Sequence, residues 1–175
     1  MKTPILETER IILKLLSIND AKDIFNNWTS DPEVAKFMIW DLHKSVDDTI
    51  EWLKIEENNI MSDKNYTWAF VLKETGILFG SGGINYRDKE GTFELGYNIM
   101  KEYWNQGLTT EAGRAILEFA QNQLGEKKFF CRHAKENIGS MKVMTKLGFI
   151  YQKDSSYTSF SGKKVFESKD YLLET

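Results

Sequence analysis

The chain has 175 residues, 41% hydrophobic and 28% charged, enough to bury one sizeable core and consistent with a single domain over 1–175. A formal net charge of −3 argues against nucleic acid or an anionic membrane as the main partner. The one cysteine, Cys131, excludes an internal disulfide framework and fits a reducing compartment.

Residues 10–16 are aliphatic and β-branched and read as a first strand. Asn19-Asp20 opens an amphipathic helix through Ile24, Phe25 and Trp28. Ser30-Asp31-Pro32 stops it, because the residue before a proline is pushed out of the helical region. A second helix starts near Ser45, with Val46, Ile50 and Leu53 on its buried face. Residues 66–72 alternate as a strand, and glycine turns at Gly76 and Gly91 lead into strands over 77–86 and 92–100.

From there the order becomes strand, helix, strand. The helix covers 109–124 and ends at Gly125, and the next strand covers 128–132. Such a crossover implies a right-handed parallel pair. A further helix is capped by Asn137, ended by Gly148, and places Ile138, Met141, Met144 and Leu147 on one face. Strands at 149–153 and 164–172 close the chain as an antiparallel pair. The expected class is α+β, a mixed and mostly antiparallel sheet flanked by helices. Nothing reads as a linker, a signal peptide or a membrane span, so the expectation is a cytoplasmic protein without a membrane partner.

The most informative stretch is Tyr103-Trp104-Asn105-Gln106-Gly107-Leu108-Thr109-Thr110-Glu111-Ala112, a polar turn running straight into a helix. The first N–H groups of a helix have no partner inside it, and with the helix dipole behind them they suit a phosphate or pyrophosphate. Gly107 lets the backbone approach an anion, and Thr109 or Thr110 can cap the helix or donate a hydroxyl.

About thirty residues downstream comes Glu136-Asn137-Ile138-Gly139-Ser140, in a segment ending Lys146-Leu147-Gly148-Phe149. The pair resembles the acetyl-CoA site of the GNAT N-acetyltransferase superfamily. That family's phosphate motif, Q/R-x-x-G-x-G/A, aligns with residues 104–109, and its later E-N-x-x-S/A helix ending K-L-G-F aligns with 136–149. Leu6-Glu7-Thr8-Glu9-Arg10-Ile11-Ile12-Leu13 is similar to the L-E-T-E-R-L-x-L opening of the RimJ/RimL-like branch, which groups with ribosomal-protein N-terminal acetyltransferases. Ser30-Asp31-Pro32-Glu33-Val34 and Glu94-Leu95-Gly96-Tyr97 follow in the family's order.

The resemblance implies the GNAT fold, in which two parallel strands splay apart and admit the pantetheine arm of acetyl-CoA, the cosubstrate. It implies direct transfer to a primary amine, either a small molecule or a protein N-terminus. The implied cofactor contacts are Asn98, Ile99 and Met100 on the splayed strand, Gln106, Gly107, Leu108, Thr109 and Thr110 at the turn, and Asn137. Two positions depart from the pattern. Thr109 stands where Gly or Ala is usual, and Trp104 where Gln or Arg is usual.

Acetyl transfer requires a deprotonated amine, a stabilised carbonyl oxygen and a protonated or stabilised leaving thiolate. Glu94, on an otherwise apolar strand, is the candidate base, directly or through water; it reads equally well as a surface glutamate pairing with Arg87 or Lys89. The resemblance assigns the oxyanion donor to the amide of Ile99 or a neighbour. The family's general-acid tyrosine falls on Met144, which cannot donate a proton. Ser140, one turn earlier, is the nearest hydroxyl, or else an ordinary residue of the helix cap. Trp40, His43 and Tyr97 are candidate acceptor contacts, with Trp28 and Phe37 either nearby or in the core. With only His43 and His133 present, no metal site is expected. Met144 leaves a second reading, a CoA-binding regulator without turnover. A homodimer is a further implication of the family, with Tyr157, Phe160 and Phe166 at an interface or in the acceptor tunnel.

Overall fold

In the computed structural model, which covers residues 1–175, a short strand β1 (Leu6–Glu7) turns into β2 (Ile11–Leu15). A 3-10 turn at Ile18–Asp20 leads into α1 (Ala21–Ile24), and α2 (Pro32–Ala35) follows. Next come α3 (Val46–Asn59), β3 (Asn65–Leu72), β4 (Leu78–Arg87) and β5 (Thr92–Ile99). The C-terminal half holds α4 (Leu108–Gln123), β6 (Lys128–Ala134), α5 (Ile138–Lys146), β7 (Ile150–Thr158) and β8 (Val165–Glu174). The strands form one eight-stranded sheet in the order β1-β2-β3-β4-β5-β6-β8-β7. All neighbours are antiparallel except β5 and β6.

The alternation of apolar residues along the strands decides which face each helix covers. Trp68, Phe70, Phe79 and Leu95 point to one face, where they pack with Ile116 and Phe119 of α4. Ala69 and Leu78 point to the other, where Ile24 and Trp28 meet Leu53 of α3. β4 lies unusually close to its neighbours: a Cβ at Gly83 would overlap the Tyr66 carbonyl, and one at Gly80 the Asn98 carbonyl. Gly83 thus lets β3 approach β4 on one side, and Gly80 lets β5 approach it on the other, along the edge of β5 opposite β6.

Three expectations are corrected. The helix expected through Trp28 breaks into α1 and a π-turn at Phe25–Thr29, where Ser30 donates from both its N–H and its hydroxyl to Phe25 O. The wider turn lets Trp28 bury completely while Asn27 Nδ2 donates to Leu78 O at 2.6 Å. The final hairpin is longer than 149–153 and 164–172, because the solvated edge strand β7 continues through Asp154, Ser155 and Ser156, which carry no apolar pattern. On α5 only Met144 is buried; Ile138 is 50% exposed, because that side of the helix faces a cavity.

Candidate active site

The parallel contact between β5 and β6 lasts for two residue pairs, Phe93 with Phe129 and Glu94 with Phe130. Beyond Glu94 the strands part, although β5 runs on to Ile99 and β6 to Ala134. Backbone groups alternate sides along a strand. Met100 N–H donates to Phe79 O at 2.7 Å, so residues 98 and 100 face β4 and residues 97 and 99 face the gap. Side chains already cover two carbonyls on that edge. Cys131 Sγ donates to Leu95 O at 3.2 Å, and the Trp104 indole N–H donates to Ile99 O at 3.1 Å. The N–H groups of Tyr97 and Ile99 stay on the open edge, and open backbone donors need partners. Burial pushes the Cys131 thiol well above its usual pKa, so it acts here as a hydrogen-bond donor and not as a nucleophile.

A cavity of about 530 Å³ occupies the gap, bounded by β5, the start of α4, the start of α5 and the segment that includes α2. The three longer helices differ in how their N-termini are satisfied, and two of them, α4 and α5, begin at the cavity. α3 begins with a capping box between Ser45 and Asp48, and α5 is capped by Asn137 Oδ1, which accepts from Ser140 N at 3.1 Å. α4 has no side-chain cap: its N-cap is Gly107 at φ 77°, a left-handed conformation that suits glycine. Its first-turn N–H groups therefore open toward the cavity, beside Thr109 and Thr110. Lys142 and Lys146, one helical turn apart on α5, add positive charge to the same lining.

The N-terminal motif braces this turn. Glu111 accepts from the Thr8 hydroxyl at 2.6 Å, from Arg10 N–H at 2.9 Å and from Arg10 Nε at 2.7 Å, while another guanidinium nitrogen of Arg10 donates to Gln106 O at 3.1 Å. Burial would raise the Glu111 pKa, but the hydrogen bonds from Thr8 and Arg10 outweigh it and hold the carboxyl below its usual value. Arg10 thus neutralises the one acid in the first turn of α4, which keeps that helix end attractive to an anion.

Across the gap, the Tyr97 hydroxyl lies 3.0 Å from Ser140 Oγ and 3.2 Å from Ser140 O, and both residues line the cavity. Burial pushes the Tyr97 phenol well above its usual pKa, so it remains a protonated donor. Met144 is 1% exposed and belongs to the core, one turn behind Ser140. Asn98 reaches the cavity through its side chain: Nδ2 donates to Ser81 Oγ at 3.2 Å, and the buried Oδ1 has no partner. On the same strand face, Gly96 is exposed, with open space where a side chain would sit.

The remaining candidates lie elsewhere. Glu94 does not line the cavity; it pairs with Arg132 Nε at 3.0 Å and Arg87 Nε at 3.3 Å. Its burial raises its pKa against the pull of both guanidinium groups. Trp40 and His43 also lie outside the lining. The His43 ring sits 5.7 Å from that of Trp40 and 6.4 Å from that of Trp52, and its Nδ1 shares a hydrogen bond with Thr49 Oγ1 at 2.8 Å. Leu108 is buried in the core, Gln106 is exposed with its amide on Glu102 O, and Met100 is held to β4. Ile99, Gly107, Thr109, Thr110 and Asn137 are lining residues, as are Tyr97, Asn98 and Ser140. Trp28 is core, whereas Phe37 joins Val34 and Met38 in the wall facing α5. Sequence reasoning named Phe37 as a possible contact but missed Val34 and Met38 beside it and the Lys142–Lys146 pair; the four-residue lysine spacing on a helix already suspected of facing a ligand was the available signal for the pair.

Comparison with known proteins shows the family and the fold. Residues 10–150 match the family model for the acetyltransferase (GNAT) domain. The uncharacterized N-acetyltransferase p20 of Bacillus licheniformis is 27% identical over 145 residues, covering 82% of this chain and 81% of the relative. The ribosomal-protein-S5-alanine acetyltransferase of Vibrio fischeri superposes with a TM-score of 0.82 at 15% identity, over 98% of this chain and 96% of that one. The microcin C7 self-immunity acetyltransferase MccE, solved with acetyl-CoA and AMP, superposes with a TM-score of 0.82 at 13% identity, over 96% and 94%. With a splayed parallel pair, an uncapped α4 and a family match over most of its length, the chain belongs to the GNAT acetyltransferase family and is an N-acetyltransferase.

Proposed function

We propose that the protein moves an acetyl group from acetyl-CoA directly to a primary amine, either a small molecule or a protein N-terminus. The observation that carries the reading is the meeting, on one cavity, of an uncapped helix N-terminus and an unpaired strand edge. The first suits the pyrophosphate, with Gly107, Thr109 and Thr110 supplying donors and Lys142 and Lys146 supplying charge. The second suits an extended chain of amides, which would pair with Tyr97 as a further strand does. Acetyl-CoA, once bound, supplies the activated acetyl group as a thioester.

The residues of this chain would then act as follows. Ile99 N–H, on the open edge, is the donor for the carbonyl oxygen. Ser140 Oγ gives a proton to the departing sulfur and is itself backed by the Tyr97 hydroxyl. Asn98 Oδ1 accepts from the incoming amine, which approaches over the open face of Gly96. Glu94, on that same strand face, takes the amine's proton through water; its raised pKa suits a proton acceptor. The likeness to a ribosomal-protein-S5-alanine acetyltransferase supports a protein N-terminus as one acceptor class.

A second reading, a CoA-binding regulator, is favoured by two observations: Met144 stands where the family places its acid, and Glu94 is tied to two arginines. The deciding experiment measures thiol release from acetyl-CoA with a panel of amines and peptides bearing free N-termini, alongside thermal shift with CoA. Stabilisation with amine-dependent release, lost in Glu94→Gln, is the expected result. Stabilisation without release from any acceptor gives the regulator, and no stabilisation by CoA removes both readings.

A further inference from the structure

The wall of the cavity that faces α5 is made by α2 and the segment after it, with Val34, Phe37 and Met38 inward. Locally, Asp31 caps α2 and Met38 N–H donates to Ala35 O at 3.1 Å. The segment's carbonyl groups run outward, and donors some 120 residues away take them up in succession (the separations are 120, 126 and 129 residues for the first three named here). The Tyr157 hydroxyl donates to Phe37 O at 2.7 Å. Lys164 Nζ donates to Met38 O at 3.0 Å, to Ala35 O at 3.2 Å and to Trp40 O at 3.1 Å. Phe160 N–H donates to Ile39 O at 2.8 Å. All of these donors belong to the tip of the β7–β8 hairpin.

An ammonium has three protons, and here each goes to a carbonyl; no carboxylate lies within ion-pair distance of Lys164. One of those carbonyls, Ala35 O, belongs to the last residue of α2, where a cation is favoured by the helix dipole. The hairpin also reaches the far side of the site. The Arg132 guanidinium lies 4.9 Å from the centre of the Tyr157 ring and bonds Glu94 at 3.0 Å. One short path of contacts therefore runs from Phe37 through Tyr157 and Arg132 to Glu94.

We infer that Lys164 is a positioning residue for the acceptor: through it the hairpin tip holds the 35–40 wall in register with Glu94, so that acceptor binding depends on Lys164 while the acetyl-CoA side does not. This rests on the proposed transfer reaction. The anion-binding end of the cavity is built by β5, α4, α5 and the Arg10–Glu111 brace, none of which touches the Lys164 ammonium. The wall that Lys164 braces presents Val34, Phe37 and Met38 with Glu33 and Lys36 beside them, a mixed apolar and charged surface suited to the body of an amine acceptor.

The test compares Lys164→Met, which keeps the length of the side chain but removes its charge and donors, with Lys164→Arg, which keeps both. Lys164→Met should raise the acceptor KM on the order of ten- to a hundred-fold, as loss of positioning does, with the acetyl-CoA KM unchanged. Lys164→Arg should recover a large part of that loss. In the same proteins, hydrogen exchange at the amides of residues 36–43 should quicken in Lys164→Met, while thermal stabilisation by CoA is retained. Faster exchange with an unchanged acceptor KM would make Lys164 merely structural and overturn the inference. Unchanged exchange would show that the ammonium does not hold the wall and overturn it as well. If the wild type itself turns over no amine, the transfer reaction fails and the acceptor role with it, while the exchange measurement still decides whether Lys164 clamps the segment.

Discussion

Ser140 and Met144 stand one turn apart on α5, and their surroundings assign them opposite work. Met144 fills the core behind the helix, whereas Ser140 turns its hydroxyl into the cavity against that of Tyr97. Ser140 N–H also serves the Asn137 cap, so both readings of this residue from the sequence coexist: the backbone caps and the side chain is free for chemistry. General acids contribute roughly 100- to 10,000-fold in rate, so Ser140→Ala should lower kcat by at least roughly 100-fold with the acetyl-CoA KM little changed. Tyr97→Phe, which leaves the serine in place and removes its partner, should fall between. Pre-steady-state thiol release by the two variants and the wild type is the measurement. A kcat for Ser140→Ala equal to wild type would mean the thiolate leaves unassisted, which its pKa of about 8.5 would allow.

At the scale of elements, the phosphate turn was legible and its support was not. Gly107 and the threonines mark the start of a helix by composition alone, and the structure puts that start on the cavity within a residue of where the pattern ends. The brace that holds it comes from Thr8 and Arg10, about a hundred residues away in sequence, and neither periodicity nor propensity carries pairing over such distances. The same limit hid the division of β5 into two edges. Sequence placed residues 97–100 together, but strand alternation sends 97 and 99 into the gap and 98 and 100 toward β4. It also hid Arg132, whose pairing with Glu94 depends on where a parallel strand happens to stop. The brace makes its own prediction. Arg10→Ala should free the Glu111 carboxylate beside the turn and release the Gln106 carbonyl, raising the acetyl-CoA KM roughly ten-fold, about 1.4 kcal/mol, with the acceptor KM unchanged. Arg10→Lys should not restore it, since one ammonium cannot match the planar fork that spans Glu111 and Gln106. Initial-rate kinetics with each substrate varied in turn would check this, and a normal acetyl-CoA KM in Arg10→Ala would remove the brace from the account of binding.

Over the whole molecule, the sheet carries two differently satisfied halves, and their titration behaviour separates them. On the β6–β8 side His133 is 3% exposed; its Nδ1 lies 2.7 Å from Ala134 O and its Nε2 3.3 Å from the Tyr171 hydroxyl, an arrangement that fits a neutral ring donating at Nδ1 and accepting at Nε2. Burial lowers its pKa below 6.5, the Ala134 carbonyl opposes that, and the nearby Lys169 charge adds to the lowering. The folded state therefore binds that proton less readily than the unfolded chain. Above pH 6.5 neither state is protonated there and the contribution to stability is complete. As the pH falls below 6.5 the unfolded chain takes the proton first, and stability declines until the folded pKa is passed. Glu56 and Glu94, whose pKa values burial raises, work in the opposite direction, because the folded state protonates first as the pH drops toward their range above 4.5. His43 is lowered by burial too, against the pull of Asp48, so a single variant removes only part of the acid sensitivity. The expected result is a urea midpoint that falls between pH 7.5 and pH 5.5 in the wild type (values chosen to bracket the free-histidine pKa of about 6.5), and falls less in His133→Gln, even though the variant is the less stable protein at pH 7.5. Because the two glutamates are present in both proteins, the difference between the two slopes isolates the histidine. Equal slopes would mean that the ring is accommodated as a cation, and the hydrogen bond to Tyr171 would then have to be assigned the other way round, with the ring donating.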